Sequence, residues 1–218
     1  MSSRSKGWIA ASVILVVLVA DQVLKFWVKT NMALHDNIKI ADWFYIYFTE
    51  NNGMAFGIEL FDKFFLTSLR IVAAGFLIWY LYRLCRKPES RLGYCITIAL
   101  VIAGAIGNII DCLFYGLIFD HSFGQIATLF PAGGGYGSFF YGKVVDMFFF
   151  PLIDTYWPDW MPFVGGDHFL FFRPVFNLAD SAITCSVILL LLFYRKDLSD
   201  LLEPKSTKST SKETPAEP

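Results

Sequence analysis

Three acidic residues stand inside or beside long apolar runs of this sequence. Asp180 lies in FNLADSAI at the head of the run SAITCSVILLLLFY, Asp111 ends the segment GNIID, and Asp146 lies in KVVDMFFF. An Asp costs about 2.5–3.5 kcal/mol at the centre of a transmembrane helix and less near its ends. Asn177 and Asn108 each precede an acid by three residues, which places the two side chains on one helix face. Each residue alone could merely cap a helix, but together they indicate a functional site.

Two neighbouring carboxyl groups can catalyse the hydrolysis of a peptide bond without a metal or a cofactor. They cannot both ionise easily, so one keeps its proton and acts as an acid while the other activates a water. This is the arrangement of aspartic proteases. Asp146 and Asp180 are the predicted pair, and Asp111 is the competitor because it lies deeper in its apolar run. The histidines form no HExxH motif and the cysteines form no CxxC pair, so we expect no metal and no cofactor.

The composition is that of a membrane protein. Of the 218 residues, 56% are hydrophobic and 17% are charged, whereas soluble domains are about 45–50% apolar and about 25% charged. The net charge of -1 provides no basic face for nucleic acid, so we expect no nucleic-acid partner.

Four apolar stretches approach the length of about 20 residues that a membrane-spanning helix needs. We predict an α-helical integral membrane protein with four transmembrane helices in one domain, residues 1–202, followed by a disordered tail, residues 203–218. The predicted spans cover residues 8–28, 64–82, 93–115 and 175–194. The first stretch also fits a cleaved signal peptide, because Arg4 and Lys6 precede it and small residues lie near Ala20.

The basic residues predict the orientation of the chain. Most Lys and Arg of the short segments lie at the N-terminus, between Arg83 and Arg91, and after Arg195, so we expect both termini to be cytoplasmic. Both long loops are then extracytoplasmic. Aromatic and β-branched residues in the first loop, 34–61, predict strands of a small β platform. We expect that the second loop, 116–174, does not form a membrane-spanning helix.

Five motifs occur in a fixed order along the predicted spans and loops: VADQVLKFWV, NNGMAFG, GAIGNIID, GKVVDMF and FNLADSAI. In this order they resemble the bacterial lipoprotein signal peptidases (signal peptidase II), and the match runs from Val13 to Leu192. The resemblance implies a membrane aspartyl endopeptidase that removes the signal peptide from diacylglyceryl-modified prolipoproteins, just before the lipid-bearing Cys. It also implies sensitivity to globomycin-type inhibitors, contact with membrane lipid and a place in the bacterial inner membrane. We expect a monomer.

The resemblance also carries residue roles to this chain. The catalytic acids of the family fall on Asp146 in VVDMF and on Asp180 in FNLAD, near the extracytoplasmic face. Its supporting residues fall on Asp21, Lys25, Asn52, Gly53, Ala55, Asn108, Asp111, Asn177 and Ala179.

Three positions depart from the family pattern. Cys112 stands where the family usually has Arg, which removes a possible bidentate partner for a carboxylate. Met147 stands where Phe is usual. Residues 119–141 are inserted between GNIID and VVDMF, so the assignment of Asp146 depends on the motif GKVVDMF rather than on spacing.

Two alternatives stay open at this point. Acids inside membrane helices also occur in ion- or proton-coupled carriers, although no inverted repeat or pair of broken helices is evident here. The insert 119–141 could be a mobile cover of the site or a passive surface insertion.

In the first loop, Asn52 could hydrogen-bond the backbone of a bound peptide.

Overall fold

A computed structural model of the protein describes residues 2–52 and 63–202, without the side chains of residues 200–202. Gly53, Ala55 and the predicted tail 203–218 therefore lie outside the described residues. The elements follow in the order α1 (Ser3–Asn31), β1 (Asn37–Ala41), β2 (Phe44–Asn51), α2 (Lys63–Arg86), α3 (Leu92–Ile110), a π-helical turn (Asp111–Tyr115), α4 (Gly116–Ile118), β3 (Val144–Phe149), β4 (Ile153–Tyr156), β5 (His168–Phe171), β6 (Val175–Phe176), α5 (Leu178–Phe193) and α6 (Arg195–Leu202).

Within the described residues, three helical segments are long and apolar enough to cross a membrane. They are α1, α2 and the continuous segment Leu92–Ile118. The helix α5 is also apolar but has 16 residues, fewer than the about 20 that a full span needs. The described residues therefore contain three helices of spanning length, and the count of four spans stays a prediction. The helix α1 is also longer at both ends than the predicted span 8–28.

The helix α3 lies at the centre of the bundle, between α1, α2 and α5. Small residues on α3 allow this close packing, as is common between helices in lipid. A Cβ atom on Gly104 would meet the carbonyl oxygen of Ala179, and one on Gly107 would meet the carboxylate of Asp21. The contact between α3 and α5 brings GNIID next to FNLAD.

A four-stranded antiparallel sheet, in the order β1-β2-β3-β6, lies against this end of the bundle. The first loop supplies β1 and β2, as the aromatic and β-branched residues predict. The second loop supplies β3, and β6 occupies the first two residues of the predicted span 175–194, so the helix α5 begins only at Leu178. The sequence reasoning assigned a strand to neither segment. Residues 144–147 of β3 are all buried, so this strand lacks the apolar-polar alternation by which a half-exposed strand is found. Asp146 therefore lies on a strand and not on a spanning helix.

The insert 119–141 packs onto the bundle and the sheet. Phe119 and Ala127 are buried in one apolar cluster with Val28 and Phe48. Backbone hydrogen bonds add to this packing, because the Leu34 amide donates to Ser122 and the Gly137 amide donates to Gly116 of α4. The insert is thus part of the fold and not a detached loop.

Candidate active site

Asp180 lies in the first turn of α5, where it forms a capping box with Asn177. The Asn177 side-chain oxygen accepts from the Asp180 amide at 2.9 Å, and Asp180 Oδ2 accepts from the Asn177 amide at 3.3 Å. The capping interpretation is therefore correct for this pair. It leaves Asp180 Oδ1 and the Asn177 Nδ2 group free to face other elements.

Asp146 is brought to Asp180 by strand β3. Asn177 Nδ2 donates to Asp146 Oδ1 at 2.7 Å, and the Asn51 side chain also hydrogen-bonds the Asp146 carboxyl. Asn108 Nδ2 donates to Asp180 Oδ1 at 2.8 Å. Each carboxyl thus receives an amide donor from a different element, and both stand at the junction of the sheet and the bundle.

Lys25 fixes which way the Asn108 amide points. Its Nζ atom donates to Asn108 Oδ1 at 2.8 Å, and Asn177 Nδ2 donates to the same oxygen at 3.2 Å. Because this oxygen already accepts two donors, the Nδ2 group of Asn108 is directed at Asp180. Lys25 is fully buried and forms ion pairs with Asp21 at 2.9 Å and with Asp111 at 2.7 Å.

Asp21 and Asp111 connect this ionic cluster to the elements that carry the candidate acids. Asp21 Oδ1 accepts from the backbone amide of Ala179 at 2.9 Å, which holds the start of α5. Asp111 Oδ2 accepts from the amide of Val145 at 3.3 Å, which holds β3. The ammonium group of Lys25 pairs with both buried carboxylates, because a buried charge without a partner is strongly destabilising.

The surroundings of Asp146 favour its protonated form. Burial, and after it the negative charge of Asp180, raise the pKa of Asp146 to about 7. Asp146 therefore holds a proton near neutral pH, as a general acid must. In the described part of the chain, no group of three or more His, Cys, Asp or Glu could hold a metal ion.

Comparison with known proteins agrees with this geometry. The family model described as Signal peptidase (SPase) II matches residues 13–195. The chain belongs to the signal peptidase II family. This confirms the family that the five motifs predict, and it makes the protein an aspartic-type peptidase rather than the carrier that was left open.

Two curated relatives of the signal peptidase II family support the assignment over nearly the whole chain. The lipoprotein signal peptidase of Porphyromonas gingivalis is 54% identical over 207 residues, 95% of this chain and 92% of that protein. The lipoprotein signal peptidase of Amoebophilus asiaticus is 36% identical and covers 95% of this chain and 87% of its own length. A solved bacterial membrane enzyme superposes with a TM-score of 0.59 at 25% identity, over 91% of this chain and 94% of that chain.

The residues that match the signal peptidase II pattern fall into three groups. Those gathered around the candidate acids are Asp21, Lys25, Asn108, Asp111, Asn177 and Ala179. Asn52 is exposed, and its predicted contact with a peptide is not tested by this structure. Gly53 and Ala55 lie outside the residues described.

Sequence reasoning missed Asn51 and Gln22. Asn51 is two residues from Thr49, which pairs with Asp146 across the sheet, and side chains two apart on a strand share a face. Knowledge of the β2–β3 register would therefore have selected Asn51. Gln22 Nε2 lies 3.2 Å from Asp21 Oδ2 and 3.0 Å from Asp111 Oδ1; its place beside the Asp21–Lys25 pair was the one available signal.

Cys112, one of the three expected departures from the family pattern, has a basic neighbour. Cys112 is fully buried in the π-helical turn that follows α3, and Arg70 Nη1 of α2 lies 3.8 Å from its sulfur atom. A guanidinium group thus approaches this position from another helix.

Proposed function

We propose that this protein is a membrane aspartyl endopeptidase that removes the signal peptide from diacylglyceryl-modified prolipoproteins, cutting just before the lipidated Cys. The observation that carries the proposal is the meeting of Asp146 and Asp180 through the Asn177 amide. The names of its relatives support the substrate class, because they are lipoprotein signal peptidases.

The two acids divide the reaction between them. Asp180 takes a proton from a water molecule, whose oxygen attacks the carbonyl carbon of the scissile peptide bond. Asp146 donates its proton to the carbonyl oxygen, which its raised pKa favours. Collapse of the tetrahedral intermediate then transfers the proton from Asp180 to the leaving amine, while the hydroxyl proton returns to Asp146. The sum of these steps is hydrolysis without a metal or a cofactor.

The substrate reaches this site from the membrane. The acyl chains of the prolipoprotein stay in lipid while the peptide lies extended between the bundle and the sheet of β1 and β2. The exposed Asn52 next to the site is suited to hydrogen-bond the peptide backbone. In this proposal the site faces the extracytoplasmic side of the bacterial inner membrane, both termini are cytoplasmic, the protein is a monomer and globomycin-type inhibitors occupy the same groove.

Cleavage of a lipidated prolipoprotein peptide by the purified protein tests the proposal. We expect wild-type cleavage before the lipidated Cys, inhibition by globomycin, and little cleavage of the same peptide without lipid. Asp146→Asn and Asp180→Asn each lower the rate by about 10²–10⁴-fold, because an amide keeps the shape but cannot exchange the proton.

Asp154→Asn is the control, because Asp154 is an exposed residue of the β4–β5 hairpin. This variant should keep wild-type activity. Near-normal turnover of Asp146→Asn would show that the pair is wrongly assigned, and a wild-type protein that cuts the unlipidated peptide equally well would refute the substrate class.

A further inference from the structure

A second buried ionic group lies beyond the candidate acids. Lys29, in the last turn of α1, is fully buried, and its Nζ atom is 2.7 Å from Glu50 Oε1 and 2.8 Å from Ser122 Oγ. The same ammonium group lies over the rings of Phe119 and Tyr136, at 5.3 and 5.1 Å from the centroids. We call Lys29, Glu50, Ser122, Tyr136 and Lys143 the Glu50 network.

The Glu50 network connects three parts of the chain to one another. Lys143, which directly precedes β3, places its Nζ atom 3.0 Å from Glu50 Oε2. Its backbone amide donates to the Tyr136 hydroxyl at 2.6 Å. Ser122 Oγ is also 3.2 Å from Glu50 Oε1. The insert therefore contacts strand β2 through Ser122, and through Tyr136 it contacts the residue that directly precedes strand β3.

The Glu50 network adjoins the residues that hold Asp146. Glu50 pairs with Val145 across the β2–β3 ladder, and Asn51, the next residue, hydrogen-bonds the Asp146 carboxyl. Lys143 precedes Asp146 by three residues. A shift of Glu50 or Lys143 would therefore move the Asn51 amide relative to the Asp146 carboxyl.

The charges within the network favour the ionised form of Glu50. Burial alone would raise its pKa, but Lys29 and Lys143 outweigh burial and hold the pKa of Glu50 below its usual range. Glu50 thus remains a carboxylate that accepts from both lysines and from Ser122. This fixed arrangement differs from that of a cover that opens and closes.

We infer that the insert 119–141 is a positioning part of the active site, which acts through the Glu50 network to hold Asn51 and Asp146 in register. The inference rests on the proposed peptidase function and goes beyond it, because no residue of this network belongs to the matched catalytic or supporting set. A mobile cover would act on substrate binding, and a passive insertion would act on neither binding nor turnover.

The sharpest test removes two hydroxyl groups from the insert. The variant Ser122→Ala/Tyr136→Phe of the full-length protein deletes only the hydrogen bonds that the insert forms with Lys29, Glu50 and Lys143. We expect kcat to fall about tenfold or more, because small displacements of a catalytic group are costly, with KM within about twofold of wild type. An unchanged kcat with an altered KM would overturn the inference in favour of a cover, and two unchanged constants would overturn it in favour of a passive insertion.

The matched control is Ser186→Ala/Tyr94→Phe. Both residues are buried; the Ser186 hydroxyl bonds its own helix, and the Tyr94 hydroxyl pairs with Tyr80 in the other apolar cluster of the bundle. The control should keep wild-type kcat and KM. An equal loss of kcat in the control would show a general packing effect and overturn the inference.

A second variant separates position from stability. Lys29→Met/Glu50→Leu replaces the buried ion pair with apolar side chains, an exchange that proteins often accept without loss of stability. Positioning predicts a low kcat at a near-normal melting temperature. A stable double variant with wild-type kcat would overturn the inference.

The failure of this inference can be told apart from failure of the proposed function. Wild-type cleavage of the lipidated peptide establishes the function before any variant is compared. Amide hydrogen exchange over residues 144–149 provides a readout that needs no activity. We expect faster exchange in Ser122→Ala/Tyr136→Phe than in wild type or control, and unchanged exchange would overturn the role assigned to the insert.

Discussion

Asn177 serves two purposes with one side chain. Its oxygen caps α5, and its nitrogen donates to Asp146. The helix cap therefore sets the position of Asp180 and, at the same time, the distance from Asp180 to Asp146. Capping and chemistry, which look like alternatives in the sequence, are one arrangement in the structure.

The two asparagines at the end of β2 should affect the reaction differently. Asn51→Ala removes a hydrogen bond to Asp146, and we expect kcat to fall about tenfold, the effect of about 1–2 kcal/mol. Asn52→Ala should raise KM, because we propose that this exposed residue binds the peptide backbone. Steady-state kinetics on the lipidated peptide measures both. Normal kinetics in Asn52→Ala would remove the groove role of this residue.

The rate should depend on pH through Asp146. Its pKa of about 7 lies above the ordinary Asp value of about 3.9, so the folded protein keeps this proton up to about neutral pH. We expect kcat/KM to fall about tenfold per pH unit above about pH 7, because Asp146 loses the proton that it must donate. This fall is the alkaline limb of the pH-rate profile. The limb belongs to the coupled pair of acids rather than to one group.

The measurement is a pH-rate profile of wild type beside Asn51→Ala. The Asn51 hydrogen bond favours the ionised Asp146, so its removal should move the alkaline limb to higher pH. A rate that stays flat to pH 9 would argue against Asp146 as the proton donor.

The raised pKa of Asp146 also affects the stability of the fold. The folded state keeps the Asp146 proton up to about pH 7, whereas the unfolded state releases it above about pH 4. The contribution of Asp146 to the free energy of unfolding therefore falls as pH rises from about 4 to 7.

The contact of α3 with α5 determines the distance between GNIID and FNLAD. Gly104→Ala would place a methyl group against the Ala179 carbonyl, which belongs to the first turn of α5 beside Asp180. We expect at least about a tenfold loss of cleavage, because the Asn108–Asp180 hydrogen bond depends on this packing.

Gly75→Ala is the control, since Gly75 also lies in a helix but has nothing within 4 Å of an added Cβ. Activity and melting temperature of the two variants are compared side by side. Gly75→Ala should match wild type, and an equally active Gly104→Ala would mean that the helices can separate without disturbing the acids.

The whole molecule is a helical bundle and a sheet joined by buried charge. Lys25 and Lys29, one turn apart on α1, lie in two ionic clusters, one beneath the candidate acids and one beneath the insert. Such side chains are costly in an apolar bundle unless they are paired. Their pairing indicates that the bundle and sheet fold as one unit.

The distribution of basic residues predicts the orientation of this unit. We expect both termini to be cytoplasmic and the loop of the insert to be extracytoplasmic. Reporter fusions at Lys196 and within Gly133–Gly137 should give opposite topology signals. Matching signals would contradict the single span that we predict between the two sites, and with it the four-span arrangement with both termini inside.

The sequence by itself determined the motifs and the family, and it predicted Asp146 and Asp180 as the catalytic pair. Apolar length and composition suffice to locate the three helices of spanning length, because a bilayer imposes a length on each helix. The short motif FNLADSAI contains its own capping box, so Asn177 and Asp180 could be read locally. The family follows from the order of five such local motifs.

Only the tertiary structure decided how distant segments meet. Asp146 lies on a fully buried strand whose register with β2 selects Asn51 rather than Asn52. Glu50, Lys29 and Ser122 are far apart in the chain and become partners only when the insert packs against α1 and the sheet. Such contacts depend on strand register and on packing between distant segments. Composition and the spacing of residues within a motif predict neither of these.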